Sequence, residues 1–312
     1  MTSMDLPGSL APDFAPRAAV FHPAAPTLEA PRLARLARPR LNAGEWLRCT
    51  PFLTVHAAAL VGAVIWPPTL GLVLLCLGVF YLRILGISLG YHRYFAHRTF
   101  KTSRAFQLVL AVWSMLSAQR GVLWWAAHHR NHHRYSDDEG DLHSPARTGF
   151  FWSHVGWIIS GRNDRTRLEV IRDMARFPEL VWLDRHKYLP AVALGAALFA
   201  AGGMPALVWG MLVSTVILWH STFSINSLAH VIGKRVYPTT DTSRNNVWLA
   251  LLTGGEGWHN NHHYYCSSAK LGFHWWQYDP TYWLIAGLER AGIVWDVLRP
   301  PAHAIAPGTP AA

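Results

Sequence analysis

Charge is scarce in this chain: only 15% of its 312 residues are Asp, Glu, Lys or Arg, while 51% are apolar. An ordinary soluble domain carries roughly 25% charged residues, so the balance argues against a soluble enzyme. Cysteine is nearly absent. The three present, Cys49, Cys76 and Cys266, form no C-x-x-C pair, which argues against a disulfide framework. The same scarcity excludes an iron–sulfur cluster held by this chain alone, which would need about four thiolates. No G-x-G-x-x-G nucleotide fingerprint occurs. Residues 1–45 are rich in Pro, Ala and Arg but lack the apolar core of a secretory signal. They are expected to form a disordered basic tail, and residues 301–312 a second one. Asp5, Asp13 and Glu29 argue against an Arg-rich targeting peptide. The formal net charge is +10, yet Lys and Arg are scattered between apolar segments rather than gathered. The expected partner is therefore an anionic lipid surface and not nucleic acid.

Long apolar runs are what the chain does have. Residues 52–66 are closed by Pro67-Pro68, and a second run covers 69–90. Later, 188–201 and 206–225 flank the turn Gly202-Gly203-Met204-Pro205. Each run is near the roughly 20 residues that span hydrocarbon. Both turns are uncharged, whereas the other ends carry Arg93, Arg98, Lys101, Arg130, Arg134 and Arg162. The positive-inside rule then places both termini and all polar segments in the cytoplasm. Residues 105–127, interrupted by Gln119-Arg120, are expected to lie along the interface rather than cross it, and 147–176 to form a cap. The expected fold is an all-α integral-membrane protein over residues 46–300. It has four transmembrane helices in two hairpins, interfacial helices and a cytosolic helical cap.

Eighteen histidines are present, and they cluster. His92 and His97 follow the second run, His129, His132 and His133 follow the interfacial segment, and His259, His262 and His263 come last. Spacings of i, i+3 and i+4 place three imidazoles within about 100° of a helix face. An i, i+5 pair would lie about 140° apart on a regular helix. One of His92 and His97 must then sit where the helix ends or unwinds, or the two serve different metals. A lone histidine is usually a satisfied helix-end side chain. Eight in three boxes on one side of a membrane are not, because burying them without a metal leaves many polar groups unpaired. Without thiolates a Cys-type zinc site is excluded, and imidazole suits Zn, Cu, Fe or Ni. Eight ligands exceed the four that one zinc takes, so two metals are implied. Spacing does not separate iron from zinc.

His92-x4-His97, His129-x2-His132-His133 and His259-x2-His262-His263 resemble the three histidine boxes of membrane fatty-acid desaturases, above all the acyl-CoA Δ9 (stearoyl-CoA) type and its bacterial members. Gly90, Trp125, the run 149–157, the element Asn226–His230 and the lead-in 254–258 match as well. The resemblance covers roughly residues 50–300. It implies four transmembrane helices under a cytosolic cap and two irons held almost wholly by histidine. It adds His230 as a ninth ligand and Asn226 as a contact through water. His22, His56, His128, His143, His154, His186, His220, His274 and His303 remain non-ligands, with His128 and His154 nearest the site. Asp137, Asp138, Asp141 and Glu256 lie close enough in sequence to accept the ligands' other N–H groups.

The implied reaction uses O₂ and two irons to introduce a cis double bond, expected at Δ9, into a long saturated acyl chain. Trp125 matches a residue lining the family's acyl tunnel and Phe80 one near its closed end, although membrane packing accounts for either. Animal acyl-CoA enzymes carry Arg-Asp before box two, where this chain has Ala127-His128. Acyl-CoA is the expected carrier, with acyl-lipid and acyl-carrier-protein desaturases as alternatives. Electrons are expected from a separate ferredoxin, rubredoxin or cytochrome served by an NAD(P)H reductase. The expected location is the bacterial inner membrane. A membrane di-iron hydroxylase or alkane monooxygenase is the nearest rival, and a metal transporter a distant one. Arg83 and His56, inside the expected spans, have no role in this reading.

Overall fold

The computed structural model describes residue 39 and residues 41–306. Most of the two expected tails, and His22, lie outside the described residues. Where described, regular structure reaches into both. Helix α1 (Ala43–Arg48) opens on a capping box between Asn42 and Glu45, and Ala302–Ile305 forms one helical turn. The described residues are overwhelmingly helical. Their one sheet is a two-residue antiparallel pair, β1 (Lys101–Thr102) with β2 (Val294–Trp295).

Helix α2 (Thr50–Ile65) starts at Pro51 and stops before Pro67-Pro68, where no further backbone donors are available. Helix α3 (Leu70–Gly86) is capped by Thr69, whose Oγ1 accepts from the Leu72 amide at 3.3 Å. From Ile87 to Ala96 it continues in widened π turns. Leu70–Ala96 is thus one apolar helix of 27 residues, and Leu189–His230 is a second of 42. Both are long and apolar enough to cross a bilayer. The longer one reverses at Gly202 and Gly203, and Gly203 takes φ 63° and ψ −155°, a backbone state open to glycine alone. It therefore comprises two limbs. At the contact between α2 and the second limb, a Cβ on Gly62 would stand 2.7 Å from Val208 Cγ2, so only glycine permits the approach. Large apolar side chains cover the outside: Leu60 is 69% exposed, Val64 75% and Leu70 76%. Together they form a broad exposed apolar surface.

The segment expected as one interfacial helix over 105–127 is two. Helix α4 (Arg104–Met115) ends, Ala118 and Arg120 take positive φ, and α5 (Val122–Tyr135) begins. Arg83 explains the break. Its fully buried guanidinium donates to Leu116 O at 2.9 Å, Ser214 Oγ at 3.0 Å and Thr215 Oγ1 at 2.8 Å. It thus satisfies a carbonyl left over at the end of α4 and ties it to the second limb. At the other side of the break, Asp184 Oδ1 accepts from the amides of Leu123 and Trp124 at 3.0 and 2.9 Å, capping α5 from a distant segment. A Cβ on Gly121 would meet that oxygen at 2.0 Å.

Arg130 fastens α5 to the end of α3. Its Nε and Nη2 each donate at 2.8 Å, to Ala96 O and Phe95 O, while Asp173 grips the guanidinium from below at 2.7 and 3.0 Å. Replacing Asp184 with Ala should lower unfolding stability by about 1–2 kcal/mol, measured by thermal unfolding in detergent, with Asn recovering part of it. An unchanged midpoint would remove Asp184 as the cap.

Candidate metal centre

The widened turns of α3 decide how the first box is read. His97 N–H donates to His92 O at 3.1 Å, a five-residue step. One π turn therefore brings the two side chains onto a common face, with ring centroids 4.8 Å apart. The i, i+5 spacing that a regular helix could not reconcile is reconciled by unwinding it.

The boxes converge into two groups. His92, His97, His129, His133 and His262 form the first; His132, His230, His259 and His263 form the second. Within each, the ligand atoms lie inside 4.8 Å of one another. A further grouping of His132 with Asp141 and His143 overlaps the second. There Asp141 contacts His132 at 3.2 Å but His143 at 4.0 Å.

Imidazole Nε2 atoms from different segments face each other within each group. Nε2 atoms are 2.9 Å apart for His92 and His262, 2.8 Å for His97 and His129, 2.9 Å for His133 and His262, and 3.1 Å for His230 and His259. Carboxylates decide which nitrogen carries the lone pair. Glu256 Oε2 lies 2.6 Å from His92 Nδ1, Asp141 Oδ1 3.2 Å from His132 Nδ1, and Asp241 Oδ2 2.6 Å from His263 Nδ1. Each holds the N–H on Nδ1 and turns a bare Nε2 inward. His263 Nε2 is buried with no hydrogen-bond partner. Two opposed lone pairs repel unless a proton or a cation lies between them, and the all-imidazole donor set fits two divalent transition metals.

Burial alone would raise the carboxyls of Asp137, Asp141, Asp241 and Glu256. The imidazoles beside them prevail and hold all four below the usual carboxylate range. Burial pushes His128 down to about 4 and His143 down to about 3, so both stay neutral. Asp137 also accepts from Ser144 Oγ and from the amide and hydroxyl of Thr242, all at 2.6 Å, with His230 Nδ1 at 3.7 Å.

Among the expected carboxylates, Asp138 is exposed and touches no histidine, because the turn at Asp137 (φ 60°) directs only Asp137 inward. Asp241 takes a place that the sequence reading missed; it lies outside every box and nothing in its neighbours marks it. The paired asparagines inside box three were missed too. Asn260 Oδ1 accepts from the amides of Val236 and Tyr237, each at 2.7 Å. Asn261 Nδ2 donates to Leu271 O and Gln277 Oε1. They fix the short helix His259–Tyr264 so that its histidines cannot rotate away.

Beside the first group lies a cavity of about 890 Å³, within the range of small-molecule sites. Trp125, His129 and Asn226 line it, together with apolar residues of the limb after Leu189 such as Val192 and Phe199. Trp125 is stacked between Tyr91 and His129, with centroids at 5.3 and 4.9 Å. Phe80 lies apart from this cavity. It is buried in the core, edge-on to Tyr81, and does not line the cavity. Asn226 belongs to neither metal group; its carbonyl accepts from Ser153 Oγ at 2.7 Å. The three cysteines are free.

Residues 65–298 match the model of the fatty acid desaturase family. The chain is 38% identical over 256 residues, 74% of its length and 78% of the relative's, to hex-5-enoyl-(acyl-carrier protein) acetylenase of Moorena producens (strain JHB). It is 36% identical over 263 residues to sn-2 palmitoyl-lipid 9-desaturase of Nostoc sp. (strain 36), covering 82% of this chain and 91% of that one. It is also 38% identical over 224 residues to acyl-CoA 5-desaturase of Anemone leveillei, covering 70% and 68%.

Metal analysis of the purified chain should find two equivalents, one for each group. His97→Ala and His263→Ala should each cost one equivalent and keep the other. Asp241→Asn should weaken metal affinity about 10–100-fold while all nine nitrogens remain. A native chain that takes up a single metal would refute the two-group reading.

Proposed function

The chain belongs to the fatty acid desaturase family, and on that premise we propose that it introduces a cis double bond at carbon nine of a long saturated acyl chain carried on a membrane glycerolipid. Two irons would be held by His92, His97, His129, His133 and His262 on one side and by His132, His230, His259 and His263 on the other, with Asn226 reaching one of them through water. Iron bound there supplies, together with O₂, an oxidant strong enough for an unactivated C–H bond. The observation that carries this reading is the pair of converging histidine groups beside a largely apolar cavity.

Positioning is the task left to the protein. The acyl chain lies in the cavity, and Trp125 and His129, backed by Tyr91, form the wall against which one carbon pair is held. Water is kept out by the tryptophans at its side: Trp124 and Trp157 are stacked at 5.8 Å and buried.

The carrier is read from charge. At Ala127-His128, where acyl-CoA enzymes place charged residues, this chain has an apolar residue and a buried neutral imidazole bonded to Trp124 O at 2.8 Å. Arg48 and Arg120 line the cavity, but each meets Asp164 at 2.6 Å. A nucleotide phosphate would have to break those pairs, whereas a lipid acyl chain enters between apolar limbs without doing so. The position at carbon nine follows the resemblance and the lipid 9-desaturase among the relatives. The cavity reads against acyl-CoA, the carrier first expected. The apolar helices insert as four spans in two hairpins in a bacterial inner membrane, with both termini cytoplasmic. Electrons come from an external one-electron carrier, a ferredoxin, rubredoxin or cytochrome with its NAD(P)H reductase.

Expression in cells lacking desaturase activity should yield membrane lipids with a double bond at carbon nine, located by mass spectrometry, and His132→Ala should abolish it. Products that gain one oxygen instead of losing two hydrogens would replace the proposal with a hydroxylase. With membranes and reductant supplied in vitro, a saturated glycerolipid should be converted and the matching acyl-CoA left intact; the reverse would overturn the carrier.

A further inference from the structure

Beyond His230 the chain carries an apolar surface that neither the metal groups nor the cavity uses. The short helix Val247–Leu252 is its centre. Leu249 and Ala250 face inward and are buried. On a water-facing side the outward residues would be polar, yet they are Val247, Trp248 and Leu251, all exposed, Trp248 to 76%. A helix that is apolar all round is at home only when both faces are covered. Val231 and Ile232, also exposed, extend the surface. They are held beside the helix, because Asn246 Nδ2 donates to Ile232 O at 3.4 Å and the Lys234 amide to Asn245 O at 2.9 Å. On the other side Trp258 packs with Ala250 and meets Trp276 edge-on at 5.8 Å. Tyr278, whose carbonyl accepts from Trp258 Nε1 at 2.8 Å, brings in Trp283 at 5.1 Å. Trp276 and Trp283 are more than half exposed. None of these residues lines the cavity.

What covers this surface follows from where it joins α3. Tyr81 OH donates to Leu251 O at 3.4 Å. Leu74, Leu77 and Tyr81 stand at spacings of three and four, so they form one stripe along α3, and all three are exposed. The outward side of Val247–Leu252 continues that stripe. Depth follows from helix geometry. Tyr81 comes eleven residues after Leu70, where α3 begins, or about 16 Å along the helix. Hydrocarbon is about 30 Å thick. With Leu70 at one boundary, the contact with Leu251 falls within the bilayer, short of the cytoplasmic boundary. Charge at the rim agrees. Lys234 and Arg235 are exposed beside Ile232. The one acid between Val231 and Leu252, Asp241, is buried against His263. Exposed cations without exposed acids match the phosphates of anionic lipids, and tryptophan favours the same boundary.

We propose that Val231–Leu252, with Trp276 and Trp283, is a seat sunk in the cytoplasmic leaflet, its apolar side covered by acyl chains and its rim by phosphate headgroups. Part of the cap expected in the cytosol thereby lies in lipid. The seat is joined to the metal centre by the chain itself, since His259 directly follows Trp258 and belongs to the second group. Lipid on the outside and α3 on the inside hold this stretch at one height, and the third box with it. The inference rests on α3 as a membrane span, not on the reaction.

The test uses the full chain in nanodiscs of phosphatidylcholine and phosphatidylglycerol. A photoreactive benzophenone side chain replaces Trp248 in one variant and Leu74 in another, and the adducts are identified by mass spectrometry. Both positions should label lipid acyl chains. If Leu74 labels lipid while Trp248 joins a second copy of the chain, or labels nothing, the seat is overturned and the span stands. If Leu74 labels no lipid, α3 is not a span and the seat goes with it. Independently, Trp248→Asp should lower the thermal unfolding midpoint in nanodiscs by several degrees, because a carboxylate is costly in hydrocarbon. At a position in water the same change leaves the midpoint where it was, and that result also overturns the seat. Should a benzophenone variant fail to fold, brominated acyl chains decide. They should quench more tryptophan fluorescence in the native chain than in Trp248→Phe, and equal quenching counts against the seat.

Discussion

The contact between a carboxylate and the outward nitrogen of a histidine is the constraint on which the rest depends. An imidazole that donates from Nδ1 presents a lone pair at Nε2 and cannot do otherwise. Glu256, Asp141 and Asp241 impose that choice on His92, His132 and His263. The bare nitrogens are thereby aimed into the two groups, where a cation would satisfy them. The surrounding protein must hold them in place. Arg93, fully buried, pairs with Glu256 and Asp279, and Asp279 in turn accepts from the amides of Leu271 and Gly272. Arg130 ties the first box to the second, and Asn260 and Asn261 lock the third. Buried charge of this kind is weak evidence for stability. Its use here is to keep donors aimed at one place.

Much of this was legible in the sequence, and the reasons differ from residue to residue. The boxes were readable because metal ligation needs several donors on one helix face, and helical period converts that need into fixed spacing. Gly202-Gly203 and Pro67-Pro68 were readable as reversals because their backbone chemistry is local. The π turn after Ile87 was not, since no residue type specifies it. Only the awkward i, i+5 spacing showed that the helix had to end, unwind or serve two metals. Gln119-Arg120 was misjudged as an interruption in one helix. What separates α4 from α5 is Arg83, over thirty residues upstream, and a capping Asp184 some sixty downstream. Asp241 was invisible for the same reason: its role is set by a tertiary contact with no sequence period.

The spacing within the boxes also explains how two metal groups arise from three helical segments. In box two, His129 and His133 join the first group and His132 the second; in box three, His259 and His263 join the second and His262 the first. Residues i and i+4 lie about 40° apart on a helix, whereas i+3 lies about 60° to the other side. Each box therefore gives a pair to one group and a single nitrogen to the other, in reciprocal fashion. The remaining members break the symmetry. Box one adds two nitrogens to the first group, and His230 adds one to the second.

That asymmetry gives the two groups different surroundings. The first, with five histidines, abuts Trp125 and the cavity wall, and one carboxylate, Glu256, backs it. The second, with four, is backed by Asp137, Asp141 and Asp241. Carboxylates behind imidazoles raise their basicity as ligands, so the poorer donor set is the more strongly supported. Ser227, whose carbonyl accepts from the His230 amide at 3.2 Å, ties this second group to the end of the helix Ser214–Asn226. The stacked rings of Trp125 and His129 face the cavity at the first group, while the second rests on its three carboxylates.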